Sequence, residues 1–269
     1  MRDTFERDGF VRMSGVFTRA EADAMCDRMW EVLAQLHGIR RGAPETWTLV
    51  QPRHLQRLTK ERAFAAMGTP ALVETISSLI GADTWQRPRH WGSALVVFPR
   101  AGATWDVPHA QWHMDWPARG GPDATLGLRL FAYANAVPPG GGGTCVIAGS
   151  HRLVARLVRS GRSGDGGSPR VRRRLLEHPW LRALASADGT VDRAARFMRA
   201  ETVVDGVPVR VVELTGEPGD VVLMHPWLFH AVAPNCSTAP RLLVGHAVHT
   251  WDGLAVFAAP KRVPATVPS

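Results

Sequence analysis

The 269-residue chain carries eleven histidines and one tyrosine. Among the histidines, only His113-Met114-Asp115 opens a triplet of the form His-x-acid. Eleven histidines and 24 acids among 269 positions give about one such triplet by chance, so its setting matters more than its existence. The triplet lies in QWHMDWP, a short extended segment closed by Pro117. In extended chain, residues i and i+2 point to one face, so His113 and Asp115 can reach the same ion. A third ligand must come from a distant strand, and His225 and His230 in GDVVLMHPWLFHAVAPN are the two candidates. Two histidines and one carboxylate occupy one face of an octahedron and leave three positions open, the geometry of non-haem Fe(II) oxygenases. Those positions can take a bidentate 2-oxo acid and O2. The far carboxylate of such a co-substrate needs a cation. Arg241 stands 11 residues after His230, beyond the turn PNCSTAP and at the head of the next strand. A hairpin returning there brings the two side chains together, and a guanidinium suits bidentate carboxylate recognition better than an ammonium does.

The elements that must position these residues change character along the chain. Thr18 to Glu21 is a capping box, followed by an apolar stripe at Met25, Met29, Val32, Leu33 and Leu36 that Gly38 ends. A second helix starts at Thr69-Pro70 and runs through Leu72, Val73, Ile76 and Leu79 to Gly81. Residues 1–90 therefore read as a helical N-terminal part. From 94 to 250 the pattern is β-rich: ALVVF, TLGLRLFAYANAV, TCVIAG, ETVVDGVPVRVVEL with a hairpin at Asp205-Gly206, then VVLMHPWLFHAV and RLLVGHAVHT. Many short strands with regular turns, preceded by helices, predict a mainly β fold: a jelly roll, or double-stranded β-helix, with flanking helices. No repeat or linker divides residues 1–269, which read as one domain.

Composition narrows the classes. Apolar residues are 45% and charged residues 21%, as in a folded globular chain. No apolar run is long enough for a membrane span, and MRDTFERDGF lacks the apolar core of a secretory signal. Cys26, Cys145 and Cys236 are scattered and odd in number, which fits a reducing cytoplasm rather than a disulfide framework. Cys145 and Cys236 read as small strand or turn residues, and neither adjoins a plausible base, so a thiol nucleophile is not expected. The net charge is +8. All of it is accounted for by an insert at 152–200, which holds 12 arginines against Asp165, Glu177, Asp188 and Asp192. Charge concentrated in one Gly/Ser-containing insert argues against a nucleic-acid face. It reads as a solvated surface excursion, the functional alternative being a patch or lid for an anionic substrate or carrier.

The sequence resembles the phytanoyl-CoA dioxygenase family of Fe(II)/2-oxoglutarate oxygenases. The matching stretches are F-x-R-D-G-F-V near the start, H-M-D at 113–115, G-G-G-T…I-A-G-S-H-R at 141–152, and G-D-V-V-L-M-H-x4-H-x3-P-N-x5-R from 219 to 241. The resemblance spans about residues 5 to 250. It implies that His113, Asp115 and His230 hold the iron, and that Arg241 takes the C5 carboxylate of 2-oxoglutarate. It also implies that Phe131 is the buried aromatic of the strand before the glycine turn, and that His225 is not a ligand. Halogenating relatives replace the acid of the triplet by a small residue. Asp115 therefore implies hydroxylation of an aliphatic C–H in a small molecule, with O2 consumed and succinate and CO2 released.

The remaining residues of interest have plainer readings. His90, His246 and His249 read as core histidines. Arg129, inside an apolar run, reads as facing solvent on the outer side of the sheet, the alternative being the barrel interior. Trp112 and Trp116 flank the triplet and either line a substrate pocket or pack the core. GGGG at 140–143 lacks the Lys-Ser/Thr and helix of a phosphate loop. Two other classes fit part of the pattern. A cupin-like metal enzyme without 2-oxoglutarate would keep the triad but not need Arg241. A non-catalytic protein docking an anionic partner through the basic insert would need neither.

Overall fold

The fold is described from a computed structural model covering residues 1–258 except 120, 122, 124, 125, 165, 189 and 190. Thr125 of the TLGLRLF run, Asp165 of the insert and the last residues of 1–269 lie outside the described residues.

Two antiparallel sheets face each other. The N-terminal part supplies α1 (Arg2–Asp8), β1 (Phe10–Met13), α2 (Arg19–His37), α3 (Gln56–Lys60) and α4 (Pro70–Ile80). Then come β2 (Ser93–Val97), β3 (Gly127–Tyr133) and β4 (Thr144–Ala148), and in the insert α5 (Ser150–Arg159), α6 (Ser168–Leu175) and α7 (Pro179–Leu184). The chain ends with β5 (Thr202–Val204), β6 (Val207–Leu214), β7 (Val221–Met224), β8 (His230–Val232), β9 (Arg241–His249) and α8 (Trp251–Ala258). The larger sheet has the order β1-β7-β3-β9-β2 and the smaller β5-β6-β4-β8. This is the predicted jelly roll with flanking helices.

Three apolar layers hold it together. In β3, Leu128, Leu130 and Ala132 face α2 and α4, whose Met25, Met29, Leu33, Leu72 and Ile76 are buried against the same face. The opposite parity, Phe131 and Tyr133, points between the sheets and meets Val146, Leu214, Val222 and Leu243. The outer side of the smaller sheet, with Ile147, Val209 and Val211, is covered by Leu153, Leu157, Val171, Leu175, Trp180 and Leu184 of the insert.

Local signals hold where they were specific. Thr18 and Glu21 form the reciprocal capping box, and Thr69 caps α4 through the Leu72 N–H. Asp205 and Gly206 turn between β5 and β6 with φ of 46° and 70°, the left-handed pair that a two-residue hairpin requires.

Three expectations are corrected. The helical N-terminal part contains β1, which pairs with β7 at the edge of the larger sheet. The basic insert, read as a solvated surface excursion, is three helices and a short π-helical turn whose apolar positions bury against the smaller sheet. Its Arg193 is only 4% exposed and donates to the carbonyls of Val107, Pro108, Ala183, Leu184 and Ser186. Leu36, placed in the apolar stripe of α2, is 48% exposed because the stripe has rotated off the sheet by the last turn.

Candidate metal centre

The triplet segment behaves as one more strand at the edge of the smaller sheet. His113 and His230 exchange backbone hydrogen bonds in both directions, at 3.0 and 2.9 Å. Residues directly opposite in an antiparallel pair share a face, so both imidazoles point the same way. Val146, the other neighbour of His230, faces between the sheets, which fixes that face as the interior. Along the segment Trp112, Met114 and Trp116 turn into the apolar layer while His113 and Asp115 turn toward the cavity. The two tryptophans therefore pack the core and do not line the pocket.

One ligand atom from each of His113, Asp115 and His230 comes together within 4.8 Å. His113 Nε2 is 3.8 Å from Asp115 Oδ1, and His230 Nε2 is 3.8 Å from Asp115 Oδ2. Two donors bound to one ion at about 2.1 Å can be no more than about 4.2 Å apart, and each histidine meets that limit to one carboxylate oxygen, His113 to Oδ1 and His230 to Oδ2. Each imidazole is oriented from behind. The Nδ1 atoms of His113 and His230 bond the carbonyls of Gln111 and Leu228 at 2.8 and 3.0 Å. A carbonyl only accepts, so both rings carry hydrogen on Nδ1 and present the Nε2 lone pair to the cavity, the tautomer that a metal needs. Burial lowers the His230 pKa, with Asp115 opposing, so this ring stays neutral.

The cavity around these atoms measures about 490 Å3 and includes Phe131, Thr144, Val232 and Arg241. The turn that delivers Arg241 is tied by Asn235, whose amide donates to the carbonyls of Val97 and Ala239. Asn135 accepts from the Leu242 N–H at the start of β9. Arg241 is 4% exposed and donates to the Gly142 carbonyl at 2.8 Å. Its Nε has no hydrogen-bond partner, and no described carboxylate lies within ion-pair reach. Burial pushes this guanidinium down to about 10, so it remains charged at neutral pH. A buried cation without an anion is costly, and the cavity it lines is where an anion can reach it. The donor set and the unpaired guanidinium thus fit a metal ion together with a 2-oxo dicarboxylate.

The five predicted site residues are all brought into this cavity, whereas His225 lies outside it, among Phe5, His151 and Trp227. Arg129 is corrected: it faces inward, with Nε 3.3 Å from Asp115 Oδ2 and its guanidinium carbon 5.5 Å from the Phe131 ring centre. Period two requires this, because Phe131 two residues on is inside. His90 is exposed rather than a core residue. His246 is mostly enclosed and accepts the Gly92 N–H, and burial lowers it to about 4. Residues 51–56 also line the cavity mouth, a role that nothing in their sequence signals. No described residue of the insert 152–200 lines it, so the insert's arginines, Arg172, Arg173 and Arg174 among them, do not form a lid on this pocket. Burial raises the thiols of Cys145 and Cys26, the latter to about 11, which agrees with the reading that Cys145 is no nucleophile.

Fold and site together define an enzyme of the iron- and 2-oxoglutarate-dependent oxygenase type. More narrowly, the chain belongs to the phytanoyl-CoA dioxygenase family, whose profile matches residues 5–243. No curated protein matches the chain by sequence. Among solved structures, it is similar to the non-heme alpha ketoglutarate dependent epimerase SnoN from nogalamycin biosynthesis. That match has TM-score 0.54 and 17% identity, and covers 100% of this chain and 90% of the other. A SnoN structure in complex with Fe3+, alpha ketoglutarate and nogalamycin RO matches at TM-score 0.52 and 16% identity, covering 100% and 90%. AviO1 from Streptomyces viridochromogenes Tue57 matches at TM-score 0.54 and 17% identity, covering 96% and 94%. At these identities the likeness is one of fold. No described helix is long and apolar enough to cross a membrane.

Proposed function

We propose that the protein is an Fe(II)- and 2-oxoglutarate-dependent oxygenase that hydroxylates an aliphatic C–H of a small molecule, with His113, Asp115 and His230 holding the metal. The observation that carries this reading is Arg241, a buried guanidinium with an unpaired Nε in the same cavity as the three ligand atoms. Iron and 2-oxoglutarate, when bound, supply the oxidising power that puts one atom of O2 into substrate while succinate and CO2 leave.

The chain's own residues select and orient. The carbonyls of Gln111 and Leu228 keep both imidazoles in the metal-binding tautomer. Arg241 takes the C5 carboxylate of 2-oxoglutarate, and its planar fork fixes the direction in which the dicarboxylate lies. Phe131 walls that subsite. Arg129 sits against Asp115 and restricts the carboxylate to one rotamer facing the histidines. His113 is 47% and Asp115 25% exposed at the side chain, so the substrate approaches from their side, past residues 51–56. A bound substrate there excludes water from an otherwise open centre.

The test is turnover of 2-oxoglutarate to succinate by the Fe(II)-loaded protein, followed by a screen for a product heavier by one oxygen atom derived from O2. Succinate formation that persists at the parent rate in His230→Ala would remove the assigned metal centre. One of the similar structures, SnoN, is that of an epimerase; a product of unchanged mass would move the reaction to that outcome and away from hydroxylation.

A further inference from the structure

A second cavity of about 490 Å3 lies between α1 and α5, and no residue lines both it and the metal pocket. Arg152, Arg156 and Arg159 enter it from one face of α5, at positions i, i+4 and i+7. Arg2 enters from α1. Two acids share the lining, and each is matched to one arginine: Glu6 to Arg2 at 3.7 Å, and Asp123 to Arg159 at 2.9 Å. Arg152 and Arg156 have no acid partner among the described residues, and Arg156 donates to the Asp205 carbonyl. The lining therefore carries two uncompensated positive charges.

The wall beneath them is formed by two buried imidazoles whose ring centres are 5.0 Å apart. His151 bonds the Glu6 carbonyl through Nε2 at 3.1 Å. His225 accepts the Trp227 N–H on Nδ1 at 3.1 Å, so its hydrogen sits on Nε2. That Nε2–H has no acceptor among the described residues, although His225 is only 9% exposed and lines the cavity. Burial keeps the ring neutral, so it offers a fixed donor rather than a third charge.

Two guanidinium groups without an acid partner at the rim, Arg156 keeping part of its fork beyond the Asp205 carbonyl, and one buried N–H donor below them match a group with about two negative charges and several terminal oxygens, as a phosphate monoester has at neutral pH. A carboxylate supplies half that charge. The volume falls within the range of small-molecule sites, leaving room for an organic part. We propose that this cavity binds a phosphorylated small molecule through its phosphate, held by Arg152, Arg156 and the Nε2–H of His225, at a site separate from the metal centre.

The experiment is isothermal titration of the full-length protein with glycerol 3-phosphate as probe, with glycerol at matched ionic strength as the blank. The expected result is one saturable site per chain, weakened about tenfold by Arg152→Gln or Arg156→Gln, and not displaced by excess 2-oxoglutarate. Absence of saturable binding overturns the proposal. So does displacement by 2-oxoglutarate, or an unchanged affinity in the Arg152→Gln/Arg156→Gln protein. If the double variant melts earlier than the parent, Arg152→Gln alone carries the test, since its side chain contacts no acid whose loss could loosen the fold.

Discussion

Replacing Arg241 by methionine separates binding from stability, because the two respond with opposite signs. Arg241 is a buried charge with one backbone acceptor and no anion. Its removal costs the Gly142 carbonyl one hydrogen bond, about 1 kcal/mol, and relieves the desolvation of an unpaired guanidinium, about 1–4 kcal/mol when an apolar side chain fills the space. The ligand-free variant should therefore melt no lower than the parent. Ligand binding behaves otherwise. With Mn(II) in place of iron, 2-oxoglutarate at 100 times its dissociation constant stabilises the parent by about 2.7 kcal/mol. For a chain of this size that raises the melting temperature by roughly 5–11 °C. Truncating one side of a buried charge pair costs about 2–5 kcal/mol, a weakening of roughly 30-fold to several thousand-fold. At the same concentration the shift then shrinks to about 3 °C or less. Differential scanning calorimetry with and without 2-oxoglutarate reads both quantities. A variant that keeps the full ligand-induced shift refutes the role of Arg241, and one that loses several degrees without ligand refutes the claim that its charge is unpaired.

Three further outcomes follow from other parts of the molecule. Thr18→Ala removes the reciprocal cap of α2 and should cost about 1 kcal/mol, or roughly 2–4 °C by thermal melting. Gly127→Ala should cost roughly 3 kcal/mol or more in a denaturant titration, because a methyl there would sit 2.0 Å from the Val248 carbonyl and 2.3 Å from Trp116; a loss under 1 kcal/mol contradicts the packing. His151 and His246 are both held near 4 by burial. Unfolded, they bind protons below about 6.5, so the unfolded state takes up protons first as pH falls. Their stabilising contribution is complete above pH 6.5 and is lost between there and pH 4, at about 1.4 kcal/mol per pH unit each. Urea midpoints across that range should fall with acid, and less steeply in His246→Gln.

What is legible in the sequence is local or periodic. The Thr18–Glu21 box, the Thr69-Pro70 start and the Asp205-Gly206 turn are short-range chemistry, and each is present in the fold. The five-residue site is legible because strand period pairs His113 with Asp115 and the hairpin return brings Arg241 to His230, while the choice of His230 over His225, and Phe131, are carried by the family resemblance. β1 is hidden: four residues between two helices have no pattern of their own, and their pairing with β7 is non-local. The helices of the insert are readable from Leu153, Val154 and Leu157, and from Val171 and Leu175, at helical spacing, but glycine and charge mask that pattern. Arg129 shares the inward parity of Phe131, yet its charge argues for solvent. An inward arginine needs a counter-charge, and its partner Asp115 lies on another segment. Residues 51–56 line the cavity through tertiary placement alone.

The most direct test of the central claim is an anaerobic titration of the metal-free protein with Fe(II) and then 2-oxoglutarate, monitored for the weak visible charge-transfer band of the chelate. The expected band needs both additions, reaches one equivalent of iron per chain, and is absent in His230→Ala. A band of parent intensity in His230→Ala, or none in the folded parent protein, contradicts the assignment of His113, Asp115 and His230 as the metal centre.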